Sequence, residues 1–246
     1  MLGDHRISFG DTLKRIILVI SALCLFLAGC KRKERVSDSL PVLTEADRHL
    51  CDSLQIAPSV AKELKSRSGA SLSRLRYSFG ASFGPDGNKI IEPSGYHQGL
   101  MIHIQNGESE PLVDALSDSF RRSGHSLFVV DKNFGIDGQL DDVALVKDTN
   151  IANIIRMIGT DGANYGVSND SVVSIFRSFS SRYPLRLVGV SGDWISLRVT
   201  GGMPNWDSLA KVVAEIAPDV VSQGPYSIDF IAKEMESSKT IYLWWD

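Results

Sequence analysis

The order of apolar and polar positions along the chain predicts most of its elements. Thr44 to Leu54 and Pro58 to Arg67 carry apolar residues at helical spacing, with Thr44 as N-cap and Gly69 as the stop. Pro111 to Arg122 places Leu112, Leu116 and Phe120 on one stripe, and Gly124 ends it. Thr149 to Ile158 is a further helix. Another is capped by Ser168 or Asn169, with Val172, Phe176, Phe179 and Tyr183 inward. Asn205 and Ser227 cap two more, the first burying Leu209, Val212, Val213 and Ile216, the second Ile228, Ile231 and Met235. Tyr96 to Gln105 alternates as a strand, with Leu100, Ile102 and Ile104 on one face, and Ser126 to Asp131 is a buried-looking strand. Together with the helix between them they read as a β-α-β unit. Val143 to Val146 is a short strand, Leu185 to Val190 and Trp194 to Val199 form a hairpin about Ser191-Gly192-Asp193, and Ile241 to Trp245 is a terminal strand. Ser71 to Gly95 is Gly- and Ser-rich, with turns at Gly84-Pro85-Asp86-Gly87 and Glu92-Pro93-Ser94-Gly95. Asn133 to Asp142 is a polar loop and the place for an internal boundary. The predicted fold class is α/β mixed (α+β), a mixed β-sheet covered by helices, with one C-terminal hairpin and a terminal strand.

One apolar stretch has no place in such a sheet. Ile16 to Ala28 follows Arg6, Lys14 and Arg15. As a helix it rises roughly 20 Å, short of the roughly 30 Å hydrocarbon core. A cationic start, a short apolar run and small residues at its end are the pattern of a secretory signal peptide. Leu27-Ala28-Gly29-Cys30 resembles the lipobox of bacterial lipoproteins. The resemblance implies a diacylglycerol on the Cys30 thiol, cleavage before Cys30, and acylation of the new amino group, as with palmitate. Lys31 rather than Asp after that cysteine implies the outer membrane in a diderm cell. Lys31, Arg32, Lys33 and Arg35 would gain about 1 kcal/mol each on anionic headgroups. The expected organisation is therefore a signal peptide at 1–29, a lipidated cysteine and flexible tether at 30–42, an N-terminal α/β region at 43–141 and a C-terminal domain at 142–246. Cys24 leaves with the signal and Cys30 carries lipid, so Cys51 stands alone and no internal disulfide forms. Its apolar helical surroundings predict a buried, inert thiol.

Composition adds exclusions. The 246 residues include 26 Lys+Arg against 29 Asp+Glu, with 43% apolar and 22% charged residues, so the chain is an ordinary globular one and not a collagen or a multi-span membrane protein. A net charge of −3 argues against nucleic acid as the main partner. No GxxxxGK[ST] or strand–GxGxxG–helix is present, so no nucleotide partner is expected. HExxH and CxxC are absent, and neither metal nor cofactor is predicted. No GxSxG marks a nucleophile elbow. Asp131 to Gly138 fails as a calcium loop because its register puts Ile136 where glycine is needed. His97 and His103 share a strand face but stand roughly 20 Å apart, too far to hold one ion. His125, before a strand, has no distinctive neighbour.

The C-terminal half carries three distinctive segments: Gly159-Thr160-Asp161-Gly162-Ala163-Asn164-Tyr165-Gly166, Ala217-Pro218-Asp219-Val220-Val221-Ser222-Gln223-Gly224, and Leu243-Trp244-Trp245-Asp246. In this order they resemble the domain of unknown function 4253 family of bacterial proteins over about Val143 to Asp246. Ser222 stands where many members carry an acid, which speaks against a cation-binding loop. The resemblance implies a domain and no mechanism. From the residues themselves, Asn164, Tyr165, Asp219, Gln223, Trp244 and Asp246 lie at element ends and form a candidate shallow pocket. Trp244 and Trp245 face opposite ways on a strand, so both are packing residues if helices cover both sheet faces, and one of them lines a cleft if one face is open. The expected role is a membrane-anchored binding or interaction module of the cell envelope, with a possible protein partner there. An envelope hydrolase using Asp219 and Asp246 as acid/base or metal-binding carboxylates is the alternative. A purely structural envelope component is the third reading.

Overall fold

The computed structural model describes residues 42–246, apart from 78–80, 84–88, 92–94, 134–137 and 224–226. The signal peptide, Cys30 and nearly all of the tether lie outside these residues, as does most of each turn expected at 84–87 and 92–95. The helices in chain order are α1 (Glu45–Leu54), α2 (Pro58–Ser68), α3 (Ser109–Arg122), α4 (Ile151–Ile158), α5 (Asn169–Ser180), α6 (Trp206–Ile216), α7 (Asp219–Ser222) and α8 (Ile228–Ser238). The strands are β1 (Ser73–Tyr77), β2 (Ala81–Phe83), β3 (Lys89–Ile91), β4 (Gly95–Ile104), β5 (Ser126–Asp131), β6 (Asp141–Val146), β7 (Leu185–Val190), β8 (Trp194–Val199) and β9 (Thr240–Trp244).

Local chemistry starts and stops most of the helices where the sequence predicts, while α3 begins at Ser109, two residues before the expected Pro111. The Thr44 hydroxyl accepts from the Asp47 amide at 3.1 Å, and the Asp47 carboxylate accepts from the Thr44 amide at 2.9 Å. This reciprocal box satisfies two otherwise orphaned donors. Asn150, Ser168, Asn205 and Ser227 cap α4, α5, α6 and α8 through their side chains. Gly69 and Gly159 end α2 and α4 in the left-handed conformation that glycine adopts without strain.

Seven strands form one sheet in the order β1-β4-β6-β5-β7-β8-β9, and β2 and β3 form a separate hairpin. Within the large sheet β5 and β7 are parallel, and every other neighbouring pair is antiparallel. The mixed α+β class stands as expected.

Its two faces divide the helices by chain position. Leu100, Ile102, Ile104, Val129, Val143 and Leu145 pack under α1, α2 and α3. Phe128, Ala144, Leu187, Ile195, Leu197, Ile241 and Leu243 pack under α4, α5, α6 and α8. The first half of the chain thus covers one face and the second half the other. Residues on either side of 142 share the central strands. Cys51 is fully buried in the first of these cores, where burial pushes its thiol pKa up.

The structure corrects several sequence expectations. The segment read only as turns contains β1, whose Leu75 is fully buried, and the β2–β3 hairpin. The β-α-β unit is split, because β6 lies antiparallel between β4 and β5. Strand β6 begins at Asp141, two residues inside the expected loop. Two buried carboxylates can open a strand because each is partnered. Asp141 accepts from the Ser109 hydroxyl at 2.6 Å and the Asn133 amide at 3.0 Å. Asp142 meets His103 Nδ1 at 2.5 Å and the Arg76 guanidinium at 3.5 Å. His103 thus pairs with a carboxylate across the β4–β6 ladder. The final strand ends at Trp244, one residue early.

Candidate functional site

The three distinctive C-terminal segments meet at one end of the sheet and bond to one another. Pro218 opens a short helix, α7, where the sequence suggested only a turn. That helix holds Asp219 at 1% exposure. The segment after α4 bends through a 3₁₀ turn at Ala163–Tyr165, closed by Gly166 in the left-handed region. The turn aims Tyr165 at Asp219, and the Tyr165 hydroxyl donates to Asp219 Oδ1 at 2.5 Å. The Ser222 hydroxyl donates to the same oxygen at 2.8 Å, and the Asp246 backbone amide donates to Oδ2 at 2.8 Å. The Gln223 side chain adds a further hydrogen bond.

Charge follows from these bonds. The Tyr165 hydroxyl is the main cause that holds the Asp219 carboxyl down at about 2, against the opposing effect of burial. The bond acts on Tyr165 in reverse, raising the phenol above its usual range.

Trp245 is the second fastening. Its ring is buried at 2% exposure, its indole N–H donates to the Ile216 carbonyl at 2.6 Å, and its backbone amide donates to the Asp193 carbonyl at 2.9 Å. The base of the ring lies against Gly162, where an added Cβ would come within 2.6 Å of the indole Cγ. No side chain fits there, which explains glycine at 162. The β7–β8 turn is fastened as well. The Asp161 amide donates to the Gly192 carbonyl at 2.8 Å, and the Thr160 hydroxyl to the Ser191 carbonyl at 2.6 Å.

Trp244 takes the other face. It pairs in register with Trp194 and is half-buried. Its indole N–H bonds the Asp193 carboxylate. Burial pushes the Asp193 carboxyl pKa up, and the neighbouring Asp246 pushes the same way. Of the six candidate residues, Tyr165, Asp219, Gln223 and Asp246 thus form one bonded cluster, and Trp244 adjoins it through Asp193. Asn164 is exposed beside Tyr165 and makes no side-chain bond among the described residues. Sequence reasoning missed Asp193, because Ser-Gly-Asp in a hairpin is already explained as turn chemistry. It also missed the reciprocal fit of Gly162 and Trp245, since two residues far apart in the chain carry no local signal of contact.

This arrangement limits the available chemistry. A carboxylate held at about 2 carries no proton to donate near neutrality, and its oxygens already accept from four groups. Asp246 reaches Asp219 through its backbone amide and not through its carboxylate. Among the described residues no three His, Cys, Asp or Glu side chains are placed to hold a metal ion.

Residues 142–246 match the family described as Domain of unknown function (DUF4253). No curated protein and no solved structure matches the chain.

Proposed function

We propose that this chain, with its DUF4253 domain, is a lipid-anchored envelope lipoprotein whose folded part acts as a binding module and not as a hydrolase. The lipobox-like Leu27-Ala28-Gly29-Cys30, behind a charged start and a short apolar run, supports the anchor. A single acyl chain binds membranes marginally, so the thiol-linked diacylglycerol and the amino-linked chain would hold the protein together. The tether to residue 42 reaches roughly 20 Å from the bilayer surface. Among the described residues no helix is long and apolar enough to cross a membrane.

The observation that favours binding over hydrolysis is the saturated Asp219 carboxylate. It fastens three chain segments, which is a structural task, and it leaves no acid/base pair with Asp246. Helices α1, α2 and α3 cover the β4, β6 and β5 part of their face, and a surface suited to binding lies beyond them on β8 and β9. There the Trp194 and Tyr242 rings lie with centroids 6.0 Å apart, tilted at 34° to one another, and Trp244 follows on the same face. Tyr242 is 37% exposed. Tyr and Trp supply large contact area at low conformational cost, which suits them to interfaces.

Growth with a palmitate analogue tests the anchor. The wild-type protein is expected to take the label and stay with membranes, and Cys30→Ser to lose the label and be released. Membrane retention of an unlabelled Cys30→Ser protein would overturn the reading.

A further inference from the structure

We propose that the outer edge of β9 is a dimer interface, on which a second copy of this chain pairs antiparallel and extends the sheet across a two-fold axis at Tyr242. The inference rests on the sheet edge and stands whether or not the lipid anchor does. The ladder with β8 fixes which backbone groups the edge offers. The Trp245 amide donates to the Asp193 carbonyl, and the Val199 amide to the Lys239 carbonyl. Both pairs continue the register in which Ile195 faces Leu243 and Leu197 faces Ile241. Hydrogen-bonded and non-hydrogen-bonded pairs alternate along an antiparallel ladder. The odd-numbered residues of β9 therefore bond to β8, while Thr240, Tyr242 and Trp244 turn their amides and carbonyls away from it. Strand β9 ends the sheet, so no described strand meets these groups. The Thr240 amide alone is engaged, by the Ser238 hydroxyl at 3.2 Å.

A flat apolar edge is a template for another strand, and natural edges are guarded against this by bulges, charges or proline. The opposite edge of the sheet is guarded in this way. Strand β1 is bulged between Arg74 and Arg76 and carries both arginines. Strand β9 has none of these devices. Its five residues, Thr-Ile-Tyr-Leu-Trp, include no charge and no proline, and they pair with β8 without a register shift.

Register and charge both select a copy of the same strand as the occupant. With the axis at Tyr242, the two Tyr242 residues form a hydrogen-bonded pair, each amide donating to the other carbonyl. Each Trp244 amide then donates to the Thr240 carbonyl of the other copy, and the Thr240 amide keeps its bond to Ser238. The axis stands perpendicular to the sheet, so the outer faces that carry Trp194, Tyr242 and Trp244 become continuous. Charge at the two ends of β9 is opposite. Asp246 lies exposed beyond Trp244, and neither it nor Asp193 has an ion-pair partner among the described residues. Burial, and then the Asp246 charge, raise the Asp193 carboxyl pKa. Lys239 precedes Thr240 and has no carboxylate partner among the described residues, its ammonium lying 5.5 Å from the centre of the Trp206 ring. Antiparallel pairing sets Lys239 of each copy opposite Trp245 of the other, beside the unpaired Asp246. A five-residue edge buries less than the roughly 800 Å² per partner of tight complexes, so the dimer is weak, with a Kd on the order of 10 µM.

The test is oxidative cross-linking together with sedimentation equilibrium of the full-length protein in detergent. A hydrogen-bonded antiparallel pair holds its Cα atoms about 5.5 Å apart, within the range a disulfide spans. Tyr242→Cys is therefore expected to give a disulfide-linked dimer, and Ser174→Cys, exposed on α5, to give none. The wild-type protein is expected to sediment as a monomer and dimer in concentration-dependent equilibrium. Tyr242→Pro removes an amide that points away from β8, a place where a strand tolerates proline. It is expected to leave the far-UV spectrum unchanged and to abolish the dimer. An exchange of charge asks the same question without touching the strand. Lys239→Glu and Asp246→Lys are each expected to raise the dimer Kd about tenfold, and the two together to restore it to within about threefold of the wild type. A monomer at all concentrations up to about 200 µM, equal cross-linking through position 174, or Tyr242→Cys cross-linked only to a different polypeptide would each overturn the proposal. So would a dimer that survives Tyr242→Pro, or a double charge variant no tighter than the single ones.

Discussion

At the scale of single residues, Asp219 and Asp193 carry carboxylates displaced in opposite directions by their surroundings. Asp219 is held near 2 by its donors, so it stabilises the fold above the ordinary carboxylate pKa of 3.8 and loses that contribution as pH falls toward 2. Asp219→Asn should therefore unfold at lower urea than the wild type at pH 7, with the difference closing between about pH 4 and 2. Tyr165→Phe should shift the acid limb of the unfolding curve upward, since it removes the largest cause of the depression. Asp193 behaves in reverse. Its raised pKa means that ionisation opposes folding at neutral pH and that protonation relieves the opposition. Asp193→Asn keeps an acceptor for the Trp244 indole and removes the charge, so its Tm at pH 7 should equal or exceed that of the wild type. Burial lowers both His97 and His125 from 6.5. Their neutral forms favour the folded state, and the urea midpoint should drop as pH falls below about 6.5.

At the scale of elements, contacts between glycine and tryptophan tie neighbours together. A Cβ at Gly189 on β7 would lie 2.6 Å from the Trp194 ring of β8 and 3.0 Å from the Val129 carbonyl of β5. The backbone oxygen cannot yield, so the ring must leave. Gly189→Ala is expected to cost about 1–3 kcal/mol and to alter tryptophan fluorescence, both measurable in one urea titration. The helix caps act independently of this packing. Thr44→Ala should cost about 1 kcal/mol and act locally on α1.

At the scale of the whole molecule, the central strands join the halves of the chain. Strand β5, at residues 126–131, lies between β6 and β7, which apart from Asp141 both belong to 142–246. A fragment of 142–246 alone would lack the strand that connects them and would expose Phe128's side of the core. Such a fragment is expected to show no cooperative unfolding transition and poor amide dispersion in NMR spectra. In the intact protein, Phe128 is fully buried. Phe128→Ala should cost about 3–5 kcal/mol, with the fluorescence and far-UV transitions remaining coincident.

Sequence alone determined the features that arise within a few residues of chain. Thr44, Ser168, Asn205 and Ser227 announced helix starts because a cap satisfies amides two or three positions away. The stripe of Leu112, Leu116 and Phe120 and the alternation from Leu100 to Ile104 were legible because side-chain direction repeats with the backbone period. Strand β1 was hidden because its burial pattern has a single core residue, Leu75, among polar ones. Only the tertiary structure decided that β6 would enter between β4 and β5, because strand order depends on pairing between distant segments. It also decided that Tyr165, Asp219 and Asp246 would share one hydrogen-bonded knot, and that Trp245 would seat against Gly162. Those residues are ordinary in their own neighbourhoods, and their chemistry exists only where folding brings separate stretches of chain within bonding distance.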